Sequence, residues 1–225
     1  VFVGHYAASL ALKSFDTRVS LGALFLAVQF VDILFFPLVL LGVERLNLIP
    51  GYTASTHFEL EYMPYTHSLV ASLGWAALAY AVFRWVLGKG HGWALVMAVA
   101  VFSHWVLDLF VHTPDLPLMS DASPKLGLGL WNHAGLTFLL EAALLLGGLW
   151  LYLRSTRAVG RSGRYAMALY VAVLIAVNVA NIWGPPPESK VALAVAALVA
   201  YFGFAGVAYW LDQKRAATPA PIGVA

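Results

Sequence analysis

Ser103-His104-Trp105-Val106-Leu107-Asp108-Leu109-Phe110-Val111-His112 sits late in an apolar run that opens at Trp93. Two histidines and a carboxylate recur at i, i+4 and i+8, which is one stripe on a helix of about 3.6 residues per turn. Neutral imidazole nitrogen and carboxylate oxygen are ligand types that suit zinc, iron or manganese. In a water-soluble helix such a stripe more often packs against a loop and binds nothing. In a membrane helix ionisable groups are costly and usually functional, so the medium around this helix decides how it reads.

Composition sets that medium. Of 225 residues, 61% are hydrophobic and 11% charged, with a mean hydropathy of +0.80; soluble domains carry about a quarter charged residues. The chain reads as all-α, a polytopic membrane helix bundle whose first partner is the lipid bilayer. A hydrocarbon core of about 30 Å needs roughly 20 apolar residues per helix. Runs at 19–42, 66–87, 93–112, 130–153, 165–183 and 190–211 qualify, and a shorter one, 2–15, precedes them. The expectation is six long transmembrane helices plus a short N-terminal membrane helix. They form a single transmembrane domain, 1–211, followed by a disordered tail, 212–225, with its Ala-Thr-Pro-Ala-Pro. Cysteine is absent, which removes disulfides, thiolate metal sites and cysteine nucleophiles. A formal charge of +2 without a basic block argues against a nucleic-acid partner. The start, Val1-Phe2-Val3-Gly4-His5, lacks the basic stretch of a signal peptide.

Basic residues set the orientation. Lys13, Arg18, Arg84, Lys89, Arg154, Arg157, Arg161, Arg164, Lys214 and Arg215 fall on one side of six spans; Arg45, Lys125 and Lys190 fall on the other. The first side is therefore cytoplasmic and carries the C-terminus. Counting about 1.5 Å per helical residue, Asp32 lies about 21 Å beyond Arg18 and His67 about 25 Å beyond Arg84. His104 and Asp108 lie about 18 and 24 Å beyond Gly92. A helix over 2–15 hinged at Asp16-Thr17-Arg18 carries His5 to the same depth. His5, Asp32, His67, His104 and Asp108 thus share one layer in the outer half of the membrane, with His112 a turn further out, at the mouth.

Other polar groups are weaker signals. Thr66 reads as an N-cap beside His67, and Asp115 is placed to reach back towards the site mouth. His133, Thr137 and Glu141 share a face of the fourth long run, Glu141 deepest. Asn178 and Asn181 read as interhelical hydrogen-bond glue. His57, Glu59 and Glu61 alternate along an extended outer segment.

Gly4-His5, an Asp in the first long run, Tyr65-Thr66-His67-Ser68-Leu69 and Ser103-His104-x-x-x-Asp108, in that order, resemble the bacterial membrane-bound metal-dependent hydrolases, the LexA-binding, inner-membrane-associated hydrolase family. The match covers roughly the first 135 residues, with a gap. The resemblance implies His5, Asp32, His67, His104 and Asp108 as the metal-ligand set and the bacterial inner (cytoplasmic) membrane as location. It also departs from the pattern. That family shows Pro-Asp-x-Asp-His where this chain has Val31-Asp32-Ile33-Leu34-Phe35, so a second acid and a histidine are missing. Glu141, His112 or His133 is left to replace them, or the site holds one metal or none.

The leading expectation is metal-assisted hydrolysis of an ester or phosphoester, with a lipid-like or lipid-linked substrate entering sideways. The cofactor is a divalent metal, zinc first and manganese or iron as alternatives. Asp32 or Glu141 is the catalytic carboxylate that takes a proton from water. Three rivals stay open: a non-catalytic subunit or scaffold with a protein partner or as a homo-oligomer; a haem protein with His67 and His104 as axial ligands; and a proton relay through Asp32, His104, Asp108 and Glu141.

Overall fold

The structure, a computed structural model, describes residues 2–218. Its first helix, α1 (His5–Phe15), is short and buried along one side, with His5, Tyr6 and Leu10 fully enclosed. Two short helices follow, α2 (Leu21–Val28) and α3 (Phe30–Leu40), then a hairpin of β1 (Arg45–Leu48) and β2 (Phe58–Tyr62). Helix α4 (Leu69–Ala81) runs on through a π-helical turn, Val82–Val86, before α5 (His91–Val111). A small ribbon, β3 (Leu116–Pro117) with β4 (Lys125–Leu126), and a 3-10 turn, Leu130–Asn132, lead to α6 (Ala134–Ser155). Strand β5 (Thr156–Ala158), α7 (Gly160–Trp183), α8 (Lys190–Asp212) and β6 (Arg215–Ala217) complete the described chain. Serines start three helices, each hydroxyl accepting a first-turn amide: Ser20 from Ala23, Ser68 from Ala71 and Ser189 from Ala192.

Among the described residues, Leu69–Val86, His91–Val111, Ala134–Ser155, Gly160–Trp183 and Lys190–Asp212 are long and apolar enough to cross a membrane. That is five, not the six expected. The remaining run, 19–42, is broken between α2 and α3 by a 48° bend, and only that bent pair taken as one span restores six. The break falls at Gln29, fully buried with its backbone off the helix at φ −101° and ψ 5°. Its side-chain amide donates to the carbonyl of Phe2 at 3.2 Å, which anchors the polar group inside the bundle. The helices are apolar on their outward faces too. Leu136, Leu139 and Leu146 of α6 and Val195, Val199 and Phe202 of α8 are each more than half exposed. Apolar surface of that extent suits hydrocarbon better than water.

Close backbone contact seats the first helices. A Cβ on Gly148 of α6 would lie 2.7 Å from the carbonyl oxygen of Ala7, so α1 reaches α6 only because no side chain intervenes. Tyr6 then stacks on Phe25 of α2, with ring centroids 4.3 Å apart. At the far end of α1 the buried Lys13 donates to Val19 O and to Asp212 Oδ2, both at 2.7 Å, and the Tyr152 hydroxyl donates to Asp212 Oδ1 at 3.0 Å. Removing one partner leaves the other charge buried. Lys13→Met or Asp212→Asn should each cost about 3 kcal/mol, visible as a lowered melting temperature in detergent. An unchanged melting curve would mean that the pair is solvated and structurally idle.

The tail expected to be without structure from 212 is ordered at its start. Arg215–Ala217 pairs antiparallel with β5, and the Arg215 guanidinium donates to Thr156 Oγ1, Thr156 O and Gly163 O. Residues 219–225 lie outside the described ones.

Candidate metal centre

Helix α5 carries His104 and Asp108 one turn apart, both buried, as the stripe requires. The N-terminal turn of α1 brings His5, the first turn of α3 brings Asp32, and the segment just before α4 brings His67. These five residues form two overlapping groups, His5 with His104 and Asp108, and Asp32 with His67 and His104. Within each group one donor atom per residue lies within 4.8 Å of the others, and His104 belongs to both. His104 Nε2 is 3.1 Å from Asp108 Oδ2 and 3.7 Å from Asp32 Oδ1. His67 Nε2 is 3.2 Å from Asp32 Oδ1, and His5 Nε2 is 3.3 Å from Asp108 Oδ1. The His5 and His104 rings stack, 4.0 Å apart and 8° from parallel.

Local structure decides which ring nitrogen faces inward. The break at Gln29 interrupts the helical ladder, and the carbonyl of Val28 is met instead by His104 Nδ1 at 2.7 Å. That carbonyl can only accept, so Nδ1 carries a proton, and in the neutral ring Nε2 presents a lone pair. His67 is fixed through a relay. Glu44 Oε1 accepts the amides of Tyr65 and Thr66, and its Oε2 accepts the Thr66 hydroxyl at 2.7 Å. The Thr66 oxygen is then left to accept from His67 Nδ1, also at 2.7 Å. Burial pushes the Glu44 carboxyl above the usual carboxylate range, an effect the Thr66 hydroxyl bond opposes. Thr66 is thus a hinge between Glu44 and His67 rather than the expected helix cap, a role that Ser68 takes.

His112 is closer to the centre than its place near the mouth suggests. It is buried, its Nε2 lies 3.5 Å from Asp108 Oδ2, and its Nδ1 meets Asp115 Oδ1 at 2.8 Å. Three histidines therefore have Nδ1 occupied by an acceptor and Nε2 directed at Asp32 and Asp108. Of the other proposed replacements, His133 is exposed and flanks the start of α6. Glu141 is buried but engaged, since its Oε2 accepts the amides of Phe2 and Gly4 at 3.1 and 3.0 Å and so anchors the turn that carries His5. Phe35, standing where the family pattern has histidine, packs edge-on against His67 at 5.1 Å.

The donor set fits a divalent cation. His104 Nε2 and both ring nitrogens of His5 are buried and make no hydrogen bond among the described residues. At 3.1 Å, His104 Nε2 and Asp108 Oδ2 are close enough for a hydrogen bond but not aligned for one. Metal-ligating histidines characteristically give their second nitrogen to a carbonyl or carboxylate, as His104 does to the carbonyl of Val28. Asp32 borders a cavity of about 390 Å3 that also reaches His67, Asp108 and His112, and its Oδ2 accepts the buried Tyr201 hydroxyl at 2.8 Å. Tyr201 carried no sequence signal, being one aromatic among many in the last run. Asn181 faces the same cavity, whereas Asn178 is buried with neither amide atom bonded among the described residues.

No protein-family model, curated protein or solved structure matches the chain, so the hydrolase resemblance rests on the quoted motifs and the site on its own chemistry.

Proposed function

We propose that the chain is an integral membrane protein that holds a divalent metal, zinc first, on His5, Asp32, His67, His104 and Asp108, and hydrolyses an ester or phosphoester there. One observation carries this reading. Imidazole Nε2 atoms converge on two carboxylates in a buried site, and His104 Nε2 makes no hydrogen bond among the described residues. With the rings neutral, lone pair against carboxylate is repulsive, and a cation between them turns the repulsion into coordination. A haem between His67 and His104 is less well served, because the Asp32 carboxylate stands where both Nε2 atoms point.

The metal would supply Lewis acidity and a lowered pKa for water. Asp32 is the carboxylate we assign to receive the proton. It borders the cavity, and the Tyr201 hydroxyl holds its Oδ2 so that Oδ1 faces the imidazoles. Glu141 sets the position of His5 through the Phe2 and Gly4 amides. The charge asymmetry supports placing the C-terminus on the cytoplasmic side and the site in the outer half of the membrane, and the motif resemblance makes that membrane the bacterial inner one.

Elemental analysis of protein purified without chelator tests the base of this reading. One or two equivalents of zinc, manganese or iron are expected. Metal-free protein would sink it and leave the proton relay, which calls for pH-dependent flux in liposomes. The relay behind His67 gives a finer check. Glu44→Gln or Thr66→Val should weaken metal affinity about 10–100-fold in a competition titration with a chelator. Unchanged affinity would show that neither residue orients His67.

A further inference from the structure

The cavity beside Asp32 has a roof and an open side. The hairpin β1–β2 covers it: Ser55 Oγ donates to Thr137 Oγ1 at 3.3 Å, and His57 is latched to the end of α7. The amide of Gly51 donates to His57 Nδ1 at 2.9 Å, so the neutral ring carries its proton on Nε2 and donates to Gly184 O at 3.2 Å. Sideways the cavity extends between α7 and α8 to Ala180, Asn181 and Ala196, all three exposed. Alanines at 180, 196, 197 and 200 are too small to fill this gap. The outward faces of these two helices are apolar and exposed, at Val179 and Trp183 on α7 and at Val195 and Val199 on α8. In the proposed bilayer placement those faces, and the opening between the helices, meet lipid.

We infer that the substrate is a membrane lipid whose acyl chain lies between α7 and α8 and whose polar head reaches Asp32 and His67. The inference rests on the hydrolase reading and names its substrate class. Inside the gap the wall is Val177, Leu193 and Ala197, and among the described residues no lysine or arginine lines the cavity. A hydrocarbon chain passes from lipid into such a wall without desolvating a polar group. A soluble, fully hydrated molecule would gain nothing from that apolar wall. Apart from Asn181 at the opening, the polar lining is Ser55, Thr56, Thr137, Tyr201 and the site's own histidines and carboxylates. A largely apolar passage between the helices that leads to a polar site matches an amphiphile entering tail-outward.

The test uses the whole protein in phosphatidylethanolamine and phosphatidylglycerol vesicles containing a phospholipid with a diazirine in its acyl chain. After irradiation, labelled positions are mapped by peptide mass spectrometry. Label is expected on Val177, Leu193 and Ala197, and it should be lost in Ala196→Trp and in Ala180→Trp, which close the gap from opposite helices. Label on Val195 and Val199 should persist in both variants. Wild-type label confined to the outward faces, or inward label indifferent to both tryptophans, would overturn the inference. Metal content of the same samples reports separately on the hydrolase reading. Inward label on metal-free protein would remove the enzyme and keep the lipid site; metal without inward label would do the reverse.

Discussion

His104→Ala should strip the protein of metal altogether, whereas His5→Ala and His67→Ala should each leave part of it bound. The asymmetry follows from the layout. His104 belongs to both donor groups, His5 only to the one with Asp108, and His67 only to the one with Asp32. Loss of His104 leaves each group one imidazole and one carboxylate, short of the three protein ligands a catalytic zinc site usually has. Disturbing an outer-sphere partner already costs about 10–100-fold in affinity, and removing a shared ligand should exceed that. The fold should survive, because His104 is held by one backbone carbonyl and a ring stack, while α5 packs mainly through Met97, Ala100 and Val101. The measurement is metal per protein by elemental analysis, alongside the helical signal in circular dichroism. Equal losses in all three alanine variants would argue for a single pooled site and against His104 as its pivot. Full metal in His104→Ala would remove it from the ligand set.

That five ligand candidates could be named from sequence and then meet in space has a simple cause. Helical rise is nearly constant, so counting residues from charged span ends to buried histidines and carboxylates gives depth, and depth limits which groups can touch. The same counting misjudged His112. It assumed that the end of α5 marks the water boundary, yet Asp115 and Trp131 cover that end, and the Trp131 ring lies 4.1 Å from His112. The bend at Gln29 was hidden as well, because hydropathy runs unbroken through it and a single glutamine in an apolar run looks like an interhelical contact. Its consequence, a backbone carbonyl released to His104, is a feature of tertiary structure. Glu44 and Thr66 lie in irregular segments where no periodicity assigns a direction, so their hold on His67 was not legible. The two-strand ribbon that orders Arg215–Ala217 joins residues some 60 apart in sequence, beyond any local signal.

Asp32→Asn should lower turnover about 100–10,000-fold, the usual contribution of a positioned general base, while Glu141→Gln should cost far less. Both substitutions keep volume and remove charge, so the contrast isolates what each carboxylate does. Glu141 accepts two backbone amides through one oxygen, and a glutamine carbonyl can accept the same pair. Asp32 touches Tyr201 through Oδ2 and the His67 and His104 imidazoles through Oδ1, at the edge of the cavity where a substrate would sit. An asparagine keeps that shape but takes up no proton near neutral pH. The lost activity should therefore appear in kcat, with the acid limb of the pH–rate profile flattened and metal bound through His5, His67, His104 and Asp108. Tyr201→Phe should fall between the two, because it releases Asp32 Oδ2 without touching the proton acceptor. If Glu141→Gln proves the damaging variant and Asp32→Asn turns over normally, the proton passes to Glu141, and Asp32 is left as a ligand alone.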